Sequence, residues 1–291
     1  MTASILVTGG SGQLATALAE AAPMPGMSVC RVGRPALDFD RPASIAEVFA
    51  AAAPALVVNA AAYTAVDAAE DDADAAFRAN RDGPAELARL CQAAAIPLIH
   101  VSTDYVFDGQ SSRAYRPDDA PAPRTVYGAS KLAGEIAVQE VAPEALILRT
   151  AWVYSPYGGN FLKTMLKAMG EKGEVTVVAD QIGTPTSAAT LADALWGLCQ
   201  AGAKGVHHHT DAGVASWYDF AQAIAEDAPG AGLLKTQPKV LPIRTEDYPT
   251  PARRPAFSVL DKTSTWTILG RPSPHWRCAM RTVLQRLASS G

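Results

Sequence analysis

The chain of 291 residues is 48% hydrophobic and 19% charged, which is enough to bury a large core in one large domain or two tightly joined ones. Its formal net charge of -4 offers no basic surface for nucleic acid, and no run approaches the roughly 18 apolar residues of a membrane span. The chain has no pattern typical of a signal peptide, and its four scattered cysteines have neither metal-binding nor redox spacing, so we expect a cytoplasmic protein with reduced thiols.

The first predicted elements are a strand, a glycine turn and a helix. Residues 4–8 form a short apolar, β-branched run, residues 9–12 read Gly-Gly-Ser-Gly, and a helical pattern follows to Glu20. Glycine lets the backbone approach a pyrophosphate, while the helix N-terminus supplies free N–H groups and a positive dipole. An ordinary β-α turn would show a similar pattern. Its place at the head of a strand-turn-helix frame nevertheless favours dinucleotide binding.

The end of the second predicted strand, near residues 27–32, lacks an acidic side chain. An acid there would bind the 2′-hydroxyl of an adenosine ribose and exclude a 2′-phosphate. Arg31 and Arg34 are available instead to meet a phosphate. We therefore predict a preference for NADPH with NADH as a possible substitute, and Asp38, a few residues further on, is the main counter-argument.

Apolar runs alternate with helical stretches rich in Ala, Leu and Glu throughout the first half of the chain. This alternation predicts an α/β fold with a Rossmann-type, doubly wound parallel sheet in residues 1–151. Beyond Trp152 the pattern becomes irregular, with Pro and Gly clusters at 180–186 and 238–255. Residues 152–291 are therefore predicted to form mainly a smaller substrate-binding lobe, with some segments returning to the first domain. The predicted strands lie near residues 4–8, 27–32, 55–60, 96–101 and 145–149.

The predicted strand at 96–101 ends in hydroxyl and acidic side chains. The carboxyl ends of strands are where open α/β sheets bind their ligands. Thr103 lies at this end and could hold a carbonyl oxygen by a hydrogen bond. Taken alone, Ser102 and Thr103 are better explained by turn or capping chemistry.

Tyr127 and Lys131 lie four residues apart in a segment predicted to be helical from about Arg124 to about Glu140. Residues at i and i+4 share a helix face, so the ammonium can lie beside the phenol and lower its pKa toward the working range. Such a phenol can give a proton to a developing alkoxide. A surface helix with an unrelated Tyr and Lys is the alternative for an isolated pair.

Two clusters of possible metal ligands have simpler explanations. The acidic run from Glu70 to Asp74 is predicted to be a solvated helix start, where acids complement the helix dipole. His207, His208 and His209 follow an apolar residue and are predicted to lie in a strand or loop; in a strand, alternating faces would separate adjacent imidazoles. We therefore predict no metal site.

Nine segments in chain order resemble the dTDP-4-dehydrorhamnose reductase family of extended short-chain dehydrogenases. They span nearly the whole chain, and they include the glycine turn, the strand end at Thr103 and the helix of Tyr127. The segments are Thr8–Leu14, Val58–Asp67, Ser102–Gly109, Val126–Glu135, Leu148–Tyr154, Gly159–Met165, Asp180–Thr186, Ser216–Phe220 and Tyr248–Pro255.

The resemblance implies NADPH-dependent reduction of dTDP-4-dehydro-6-deoxy-L-mannose at C4 to give dTDP-L-rhamnose. By position, the catalytic residues would be Thr103, Tyr127 as proton donor and Lys131, which would also hold the nicotinamide ribose. The sugar would meet Thr103, Asp104, Tyr127 and Trp152. The cofactor would lie along Gly9, Gly12, Gln13, Leu14, Asp38, Phe39, Ala61, Ala62, Tyr63, Tyr127 and Lys131.

Other functions share most of these motifs. They are a reductase of another nucleotide-linked 4-keto-deoxysugar, an epimerase or dehydratase of the same fold, and a noncatalytic nucleotide-binding regulatory subunit. An intact Thr103, Tyr127 and Lys131 favours an enzyme. The oligomeric state (monomer or homodimer), any dependence on a divalent cation, and the roles of Arg253 and Arg254 stay open.

Overall fold

A parallel sheet of six strands lies at the centre of the structure, a computed structural model that describes residues 3–21 and 25–289. Its strands are β1 (Ala3–Thr8), β2 (Met27–Val32), β3 (Leu56–Asn59), β4 (Leu98–Thr103), β5 (Leu146–Thr150) and β10 (Gly205–His208). They lie side by side in the order β2, β1, β3, β4, β5, β10. The five strands predicted in the first half of the chain are therefore confirmed.

The remaining strands are shorter or lie apart from this sheet, and they pair two by two. A parallel pair joins β7 to β12, an antiparallel pair joins β8 to β11, and a parallel pair joins β6 to β9. Their bounds are β6 (Val153–Tyr154), β7 (Glu174–Val178), β8 (Ile182–Gly183), β9 (Thr186–Ser187), β11 (Ala215–Ser216) and β12 (Lys239–Ile243).

Eleven α-helices in the described part of the chain pack around these strands. The fourth and fifth are joined by a turn of π-helix at Arg78–Asp82, and short 3₁₀ turns occur at Asp104–Val106 and Thr245–Asp247. The helices are α1 (Gln13–Glu20), α2 (Pro42–Ala52), α3 (Val66–Asp71), α4 (Ala73–Phe77), α5 (Gly83–Ala93), α6 (Val126–Val141), α7 (Phe161–Lys172), α8 (Ala188–Gln200), α9 (Trp217–Asp227), α10 (Thr263–Leu269) and α11 (Trp276–Ser289).

Helices cover both faces of the central sheet, because its inner strands are apolar on both sides. On one face, Leu18 of α1 and Leu191 of α8 pack against alternate sheet residues such as Val58. On the other face, Leu87 of α5 and Val138 of α6 pack against the intervening residues. This arrangement confirms the predicted doubly wound sheet.

The second half of the chain contributes to both parts of the molecule. β10 pairs with β5 in parallel, and α8 covers one face of the sheet. Residues 188–208 therefore belong to the central sheet and its covering helices. Around them, α7, α9 and α11 enclose a separate core in which Leu162, Phe220 and Met280 are fully or almost fully buried. No helix in residues 3–21 and 25–289 is long and apolar enough to cross a membrane.

The strand order reverses direction at β1. The chain leaves β1 for β2 on one side, and then returns past β1 to β3 on its other side. Such a switch point leaves a crevice outside the carboxyl ends of the strands. Thr8 is level with Val32 and Asn59, and Thr103 is level with Thr150, so these strand ends meet at one edge.

Candidate active site

A cleft with a volume of about 570 Å³ follows this edge of the sheet. It runs from the glycine turn after β1, past the strand ends, to the start of α6. The lining residues are Gly9, Gly12, Gln13, Leu14, Gly33, Arg34, Leu37, Phe39, Ala60, Ala61, Ala62, Tyr63, Thr64, Ala79, Val101, Ser102, Tyr127, Lys131, Thr150, Val153, Gly158, Gly159 and Leu191. The cleft therefore brings together most of the side chains expected to hold a dinucleotide.

The glycine turn needs its glycines for backbone conformation and for close packing. Gly9 has φ +98° and Gly10 has φ +48°, in the left-handed region that side chains disfavour. A Cβ on Gly10 would lie 3.1 Å from the Cα of Gly33 at the end of β2. Gly12 is the N-cap of α1 and has no side chain that could accept from the N–H groups of the first turn. These N–H groups can therefore face the cleft.

The side chain of Gln13 has a role that the sequence did not suggest. Its Oε1 accepts hydrogen bonds from Ser155 Oγ (2.8 Å) and Asn160 Nδ2 (2.9 Å). These bonds hold the loop of residues 155–160 over the cleft, where Gly158 and Gly159 form part of the wall. Gln13 thus joins the glycine turn to the second half of the chain.

The predicted adenosine contacts divide into residues that line the cleft and residues that pack beside it. Phe39 lines the cleft and packs so tightly on α5 that a Cβ on Gly83 would lie 2.3 Å from its ring. Arg34 also lines the cleft. Asp38 pairs with Arg34 at 2.9 Å, while Arg31 turns to the side chain of Thr16 at 2.8 Å. We expected both arginines to be available to a phosphate. In the structure, Arg34 lines the cleft and Arg31 does not.

The helix that carries Tyr127 and Lys131 begins one or two residues from its predicted start. Thr125 caps α6 by accepting a hydrogen bond from the Gly128 N–H at 3.0 Å. Two glycines then let α6 approach its neighbours. A Cβ on Gly128 would lie 2.2 Å from the carbonyl oxygen of Tyr105, and one on Gly134 would lie 1.9 Å from that of Asn80.

Tyr127 and Lys131 line the cleft, and Thr103 lies behind its wall, next to Tyr127. Thr103 ends β4 and is hydrogen-bonded to Tyr127, and its hydroxyl also donates to Asp104 Oδ1 at 3.0 Å. Lys131 lies one turn further along α6, is 2% exposed, and donates from Nζ to the Val101 carbonyl oxygen at 2.7 Å. The three predicted catalytic side chains are therefore neighbours, with Thr103 and Lys131 buried and Tyr127 partly exposed at the cleft.

The protonation behaviour of this group differs from the sequence expectation. Burial raises the pKa of Tyr127 well above its usual value, and the hydrogen bond with Thr103 only partly opposes this. Burial also lowers the pKa of Lys131 to about 8, against the opposing effect of Glu135. The predicted lowering of the phenol pKa by Lys131 is therefore not seen: desolvation dominates the shift of Tyr127, and the opposing contribution comes from Thr103 rather than Lys131.

Asp104 lies beside Thr103 and is 2% exposed. Burial raises the pKa of Asp104 to about 6, while hydrogen bonds with Ser258 and Thr103 lower it. Ser258 comes from the second half of the chain, so this carboxyl joins the lobe to the end of β4. It lies close enough to the phenol that its charge would raise the pKa of Tyr127.

Trp152 has a more constrained setting than predicted. Its φ of +50° is in the left-handed region, and its ring stacks on Trp217 with centroids 3.5 Å apart and planes 4° apart. A Cβ on Gly183 would lie 2.6 Å from the same ring. One indole face is therefore already covered, which limits how Trp152 can meet a sugar. The partner Trp217 was not found from the sequence.

A second cavity of about 370 Å³ lies on the lobe side of this tryptophan pair. It has apolar walls and several polar groups, and both Trp217 and Arg254 line it. Arg254 bonds to Asp67 Oδ2 at 2.6 Å and to the Tyr105 hydroxyl at 3.3 Å. Tyr105 in turn packs edge-on against Tyr127. The lining residues are Phe161, Thr164, Met165, Thr176, Val177, Val178, Gln181, Trp217, Ile243, Tyr248, Thr250 and Arg254.

Asn80 is another residue that the sequence reading missed. It lies in the π-helical turn, donates to Ser130 Oγ at 2.9 Å and accepts from the Tyr63 N–H at 2.8 Å. Ser130 then donates to the backbone oxygen of Tyr127 at 2.8 Å. Asn80 therefore fixes both the cleft wall at Tyr63 and the first turn of α6. A single π-helical turn leaves no periodic pattern from which to predict it.

The described residues 3–21 and 25–289 contain no cluster of three or more His, Cys, Asp or Glu side chains able to hold a metal ion. His207 and His208 lie on β10, which confirms the predicted strand. Burial lowers the pKa of His208 to about 3 and that of His209 to about 4. These imidazoles are therefore neutral parts of the interior at physiological pH.

A parallel sheet with a glycine turn at its switch point, and a Tyr-Lys pair facing the same cleft, define a Rossmann-fold protein of the short-chain dehydrogenase type. The family model described as "RmlD substrate binding domain" matches residues 2–289. A dTDP-4-dehydrorhamnose reductase from Burkholderia thailandensis is 43% identical over 297 residues, covering 98% of this chain and 99% of the relative. The chain therefore belongs to the dTDP-4-dehydrorhamnose reductase family, a family of oxidoreductases.

Solved structures agree with this assignment. The crystal structure of a dTDP-4-dehydrorhamnose reductase from Bacillus anthracis in complex with NADP is 33% identical, with a TM-score of 0.91 and coverage of 100% of both chains. A UDP-glucose 4-epimerase from Thermus thermophilus, at 20% identity and a TM-score of 0.81 over 99% of this chain and 100% of its own, shares the fold.

Proposed function

We propose that this protein reduces the C4 keto group of dTDP-4-dehydro-6-deoxy-L-mannose with NADPH to give dTDP-L-rhamnose. The observation that carries the proposal is that Tyr127 and Lys131 line a dinucleotide-sized cleft, with the buried Thr103 hydrogen-bonded to Tyr127. Membership of the reductase family and the NADP complex of the Bacillus anthracis relative support the same reaction.

The cleft fits a dinucleotide cofactor by its own geometry. Glycines 9, 10 and 12 leave no side chain between the backbone and a pyrophosphate, and the first turn of α1 offers N–H donors. Ala61, Ala62 and Tyr63 form the wall along the ribose, and Phe39 lies at the adenine end. When bound, the reduced nicotinamide supplies the hydride that is transferred to C4.

Tyr127 gives the proton to the oxygen as negative charge develops there. Its raised pKa keeps the phenol protonated before the reaction. With substrate bound, the Thr103 hydroxyl turns from Asp104 and donates to the same oxygen. The low exposure of Thr103 strengthens this hydrogen bond as charge develops. Lys131, still largely charged at neutral pH, stabilises the tyrosinate that remains and holds the nicotinamide ribose.

The substrate lies across both cavities in this proposal. The sugar faces Thr103, Asp104 and Tyr127, with the edge of Trp152 closing the pocket. The nucleotide extends into the second cavity, where Trp217 offers an aromatic surface and Arg254 a guanidinium for the diphosphate. The Arg254–Asp67 pair orients that guanidinium from the first domain.

The remaining expectations belong to the same proposal. The boundary near residue 151 separates a cofactor-binding part from a mainly substrate-binding part. A cytoplasmic location is supported by free thiols at Cys30, Cys91, Cys199 and Cys278. The protein acts as a monomer or homodimer.

The test is to follow oxidation of NADPH by absorbance with enzymatically prepared dTDP-4-dehydro-6-deoxy-L-mannose, to identify the product by NMR, and to run NADH in parallel. Turnover to dTDP-L-rhamnose is the expected result. NADPH binding without turnover would contradict this substrate, and a panel of nucleotide-linked keto sugars would then separate another reductase from a noncatalytic subunit.

A further inference from the structure

A buried ion pair that the proposed reaction does not use lies one helical turn from Lys131. Glu135 of α6 and Arg149 of β5 are 2% and 3% exposed. Arg149 donates from Nε to Oε1 of Glu135 at 2.9 Å and from Nη2 to Oε2 at 2.7 Å, so the guanidinium occupies both carboxylate oxygens. Apolar residues of similar volume often stabilise a protein at least as well as a buried ion pair. Stability alone therefore does not account for these two charges.

The guanidinium of Arg149 is held in one orientation by its other neighbours. Its Nη1 lies 3.4 Å from Nε2 of His208 and donates to the Pro117 carbonyl oxygen at 3.4 Å. The Phe107 ring packs against it, with its centroid 5.1 Å from Cζ. Nδ1 of His208 lies 3.1 Å from the Tyr115 carbonyl oxygen, which can only accept, so the proton of this neutral imidazole is on Nδ1 and Nε2 accepts from Arg149. The carboxylate bound to Arg149 is thereby fixed as well.

Lys131 and Glu135 lie four residues apart on α6, and both are buried. Oppositely charged side chains at this spacing can pair directly on a helix. Here the Nζ of Lys131 donates to the Val101 carbonyl oxygen at 2.7 Å, and both oxygens of Glu135 are bound to Arg149. The ammonium consequently lines the cleft together with Tyr127 instead of turning back along the helix.

Glu135 still acts on Lys131 through its charge. Burial lowers the pKa of Lys131, and the negative charge of Glu135 opposes this. On β4, His100 is buried and neutral, because desolvation and the charge of Lys131 lower its pKa. Asp104 and Tyr105, in the 3₁₀ turn after β4, lie next to Tyr127. The other charged side chains on helical elements that pack against α6 are exposed or have partners of their own: Asp67, Glu70, Asp71, Asp74, Arg78, Arg81, Asp82, Glu86 and Arg89.

We propose that Arg149 is a positioning residue for Lys131: it occupies the carboxylate of Glu135 and so prevents that carboxylate from pairing directly with the catalytic ammonium. Glu135 then favours the charged ammonium through space without drawing it away from the cleft. The ammonium therefore stays available to the cofactor ribose and to the phenol of Tyr127. This inference rests on the proposed role of Lys131, and it adds Arg149 and Glu135 to the residues on which that role depends.

The first measurement follows the ionisation of Lys131 in the full-length protein, without cofactor or sugar nucleotide. NMR of isotope-labelled lysine Cε atoms records the titration of each lysine, and the Lys131→Arg variant assigns the Lys131 signal. The second measurement is a fluorescence titration with NADPH at neutral pH. The variants are Arg149→Met, Glu135→Gln, the two combined, and Arg149→Lys, which keeps a cation beside Glu135. His208→Gln is the control, because it changes a neighbour of Arg149 without changing the charge.

For Arg149→Met we expect the freed carboxylate to pair with Lys131, so that the titration midpoint of Lys131 rises by about one to two pH units. The same contact draws the ammonium from the ribose, which weakens NADPH binding by about five- to twentyfold. Adding Glu135→Gln to this variant should restore NADPH binding to within about threefold of the native protein, because no carboxylate is left to capture Lys131.

Glu135→Gln alone should move the titration in the opposite direction. It removes a favourable negative charge and leaves the cation of Arg149 unpaired, so the midpoint of Lys131 should fall by about one pH unit. Arg149→Lys and His208→Gln preserve the charges near Lys131 and should each stay within about half a pH unit of the native midpoint.

Three results would overturn the inference: a Lys131 midpoint in Arg149→Met that is unchanged or lower, a combined variant that binds NADPH no better than Arg149→Met, and a shift in His208→Gln as large as that in Arg149→Met. Should Arg149→Met not fold, Arg149→Gln offers Glu135 an uncharged hydrogen-bonding partner, and a midpoint that does not rise there would equally overturn it. The Lys131 titration needs no ligand. Failure of the native protein to bind NADPH would therefore contradict the proposed function and leave this test intact.

Discussion

The two ends of the active-site region are built in different ways. At the cofactor end, Gly9 and Gly33 directly follow β1 and β2, and Gly12 caps α1, so each contact is set by a short stretch of chain. At the sugar end, Trp152 stacks on Trp217 of α9, and Arg254 is hydrogen-bonded to Asp67, which lies 187 residues away in the sequence. The cofactor end is thus a local property of the β-α units. The sugar end exists only after both halves of the chain have folded together.

Tyr127 lies between the two ends. Its substitution is expected to have the largest effect on activity. Tyr127→Phe removes the proton donor but keeps the ring that packs against Tyr105. We expect kcat to fall by about 10²- to 10⁴-fold while the affinity for NADPH changes less than about twofold. Steady-state kinetics and a cofactor titration measure the two quantities on the same sample. Undiminished turnover would remove Tyr127 from the mechanism.

Arg254 tests whether the sugar end can be damaged without harming the cofactor end. Its guanidinium is held by Asp67 and Tyr105 and points into the second cavity. For Arg254→Ala we expect the KM for the nucleotide sugar to rise by about ten- to hundredfold, since a charge-assisted contact to the diphosphate is lost. The Kd for NADPH should stay the same.

The neighbouring Arg253 supplies the matched control, because it is exposed and removes the same charge from the same loop. Arg253→Ala should change the KM by less than about twofold, as exposed charges far from a ligand do. Equal effects of the two variants would mean that net charge, rather than the position of Arg254, accounts for the change.

The same contrast explains what the sequence could predict. The parallel strands, the start of α6 and the meeting of Thr103, Tyr127 and Lys131 follow from local patterns, because parallel strand ends share one edge. Family resemblance pointed to Trp152. Nothing local indicated that Trp217 covers one of its faces or that its backbone is left-handed, since both depend on packing with a distant helix.

Electrostatic behaviour was also hard to predict from spacing. A Tyr and a Lys at i and i+4 suggested a lowered phenol pKa, but the sequence did not show that desolvation would dominate the pKa of both groups. The π-helical turn at Arg78–Asp82 was missed for a related reason. It turns Asn80 toward Ser130 and Arg78 toward Asp40 without any periodic signal in the sequence.

Lys131 links the two ends through its charge, and its pH dependence has a moderate expected effect. Burial lowers the pKa of Lys131 to about 8, so the ammonium is lost as the pH rises through that value. We expect kcat/KM to fall by about tenfold per pH unit above pH 9. The Lys131→Arg variant should lack this decline, because its side chain stays charged. A flat profile in the native protein would contradict the role of the ammonium.

Measurements of protein stability distinguish the loss of activity caused by deprotonation of Lys131 from a loss caused by unfolding. Above the folded pKa of about 8, Lys131 is neutral in the folded protein but still protonated in the unfolded chain, up to its usual pKa of 10.5. The unfolded chain then binds more protons, so the contribution of Lys131 to the free energy of unfolding increases with pH in this window. Denaturant unfolding at about pH 7.5 and about pH 9 should therefore reveal no loss from this group where activity already declines.

The smallest expected effect concerns the loop of residues 155–160, which joins the two ends. Tyr157 in this loop donates its hydroxyl to Glu20 and accepts from Arg286 at 2.8 Å, so the loop is tied to both α1 and α11. Tyr157→Phe removes these bonds, but Gln13 still holds Ser155 and Asn160. Exposed ion-pair networks contribute little, so the dissociation rate of NADPH should rise only about two- to threefold.

Stopped-flow displacement of NADPH measures that rate, and Glu144→Gln is the control. Glu144 forms an exposed ion pair with Lys204 just before β5 and β10 begin, at the opposite edge of the sheet from the cleft. Its removal should leave NADPH dissociation unchanged. If Tyr157→Phe also had no effect, Gln13 alone would hold the loop, and the cofactor end would be closed by its own glycine turn. A faster release would instead mean that the cofactor end, though locally specified, depends on α11 of the second half for its closure.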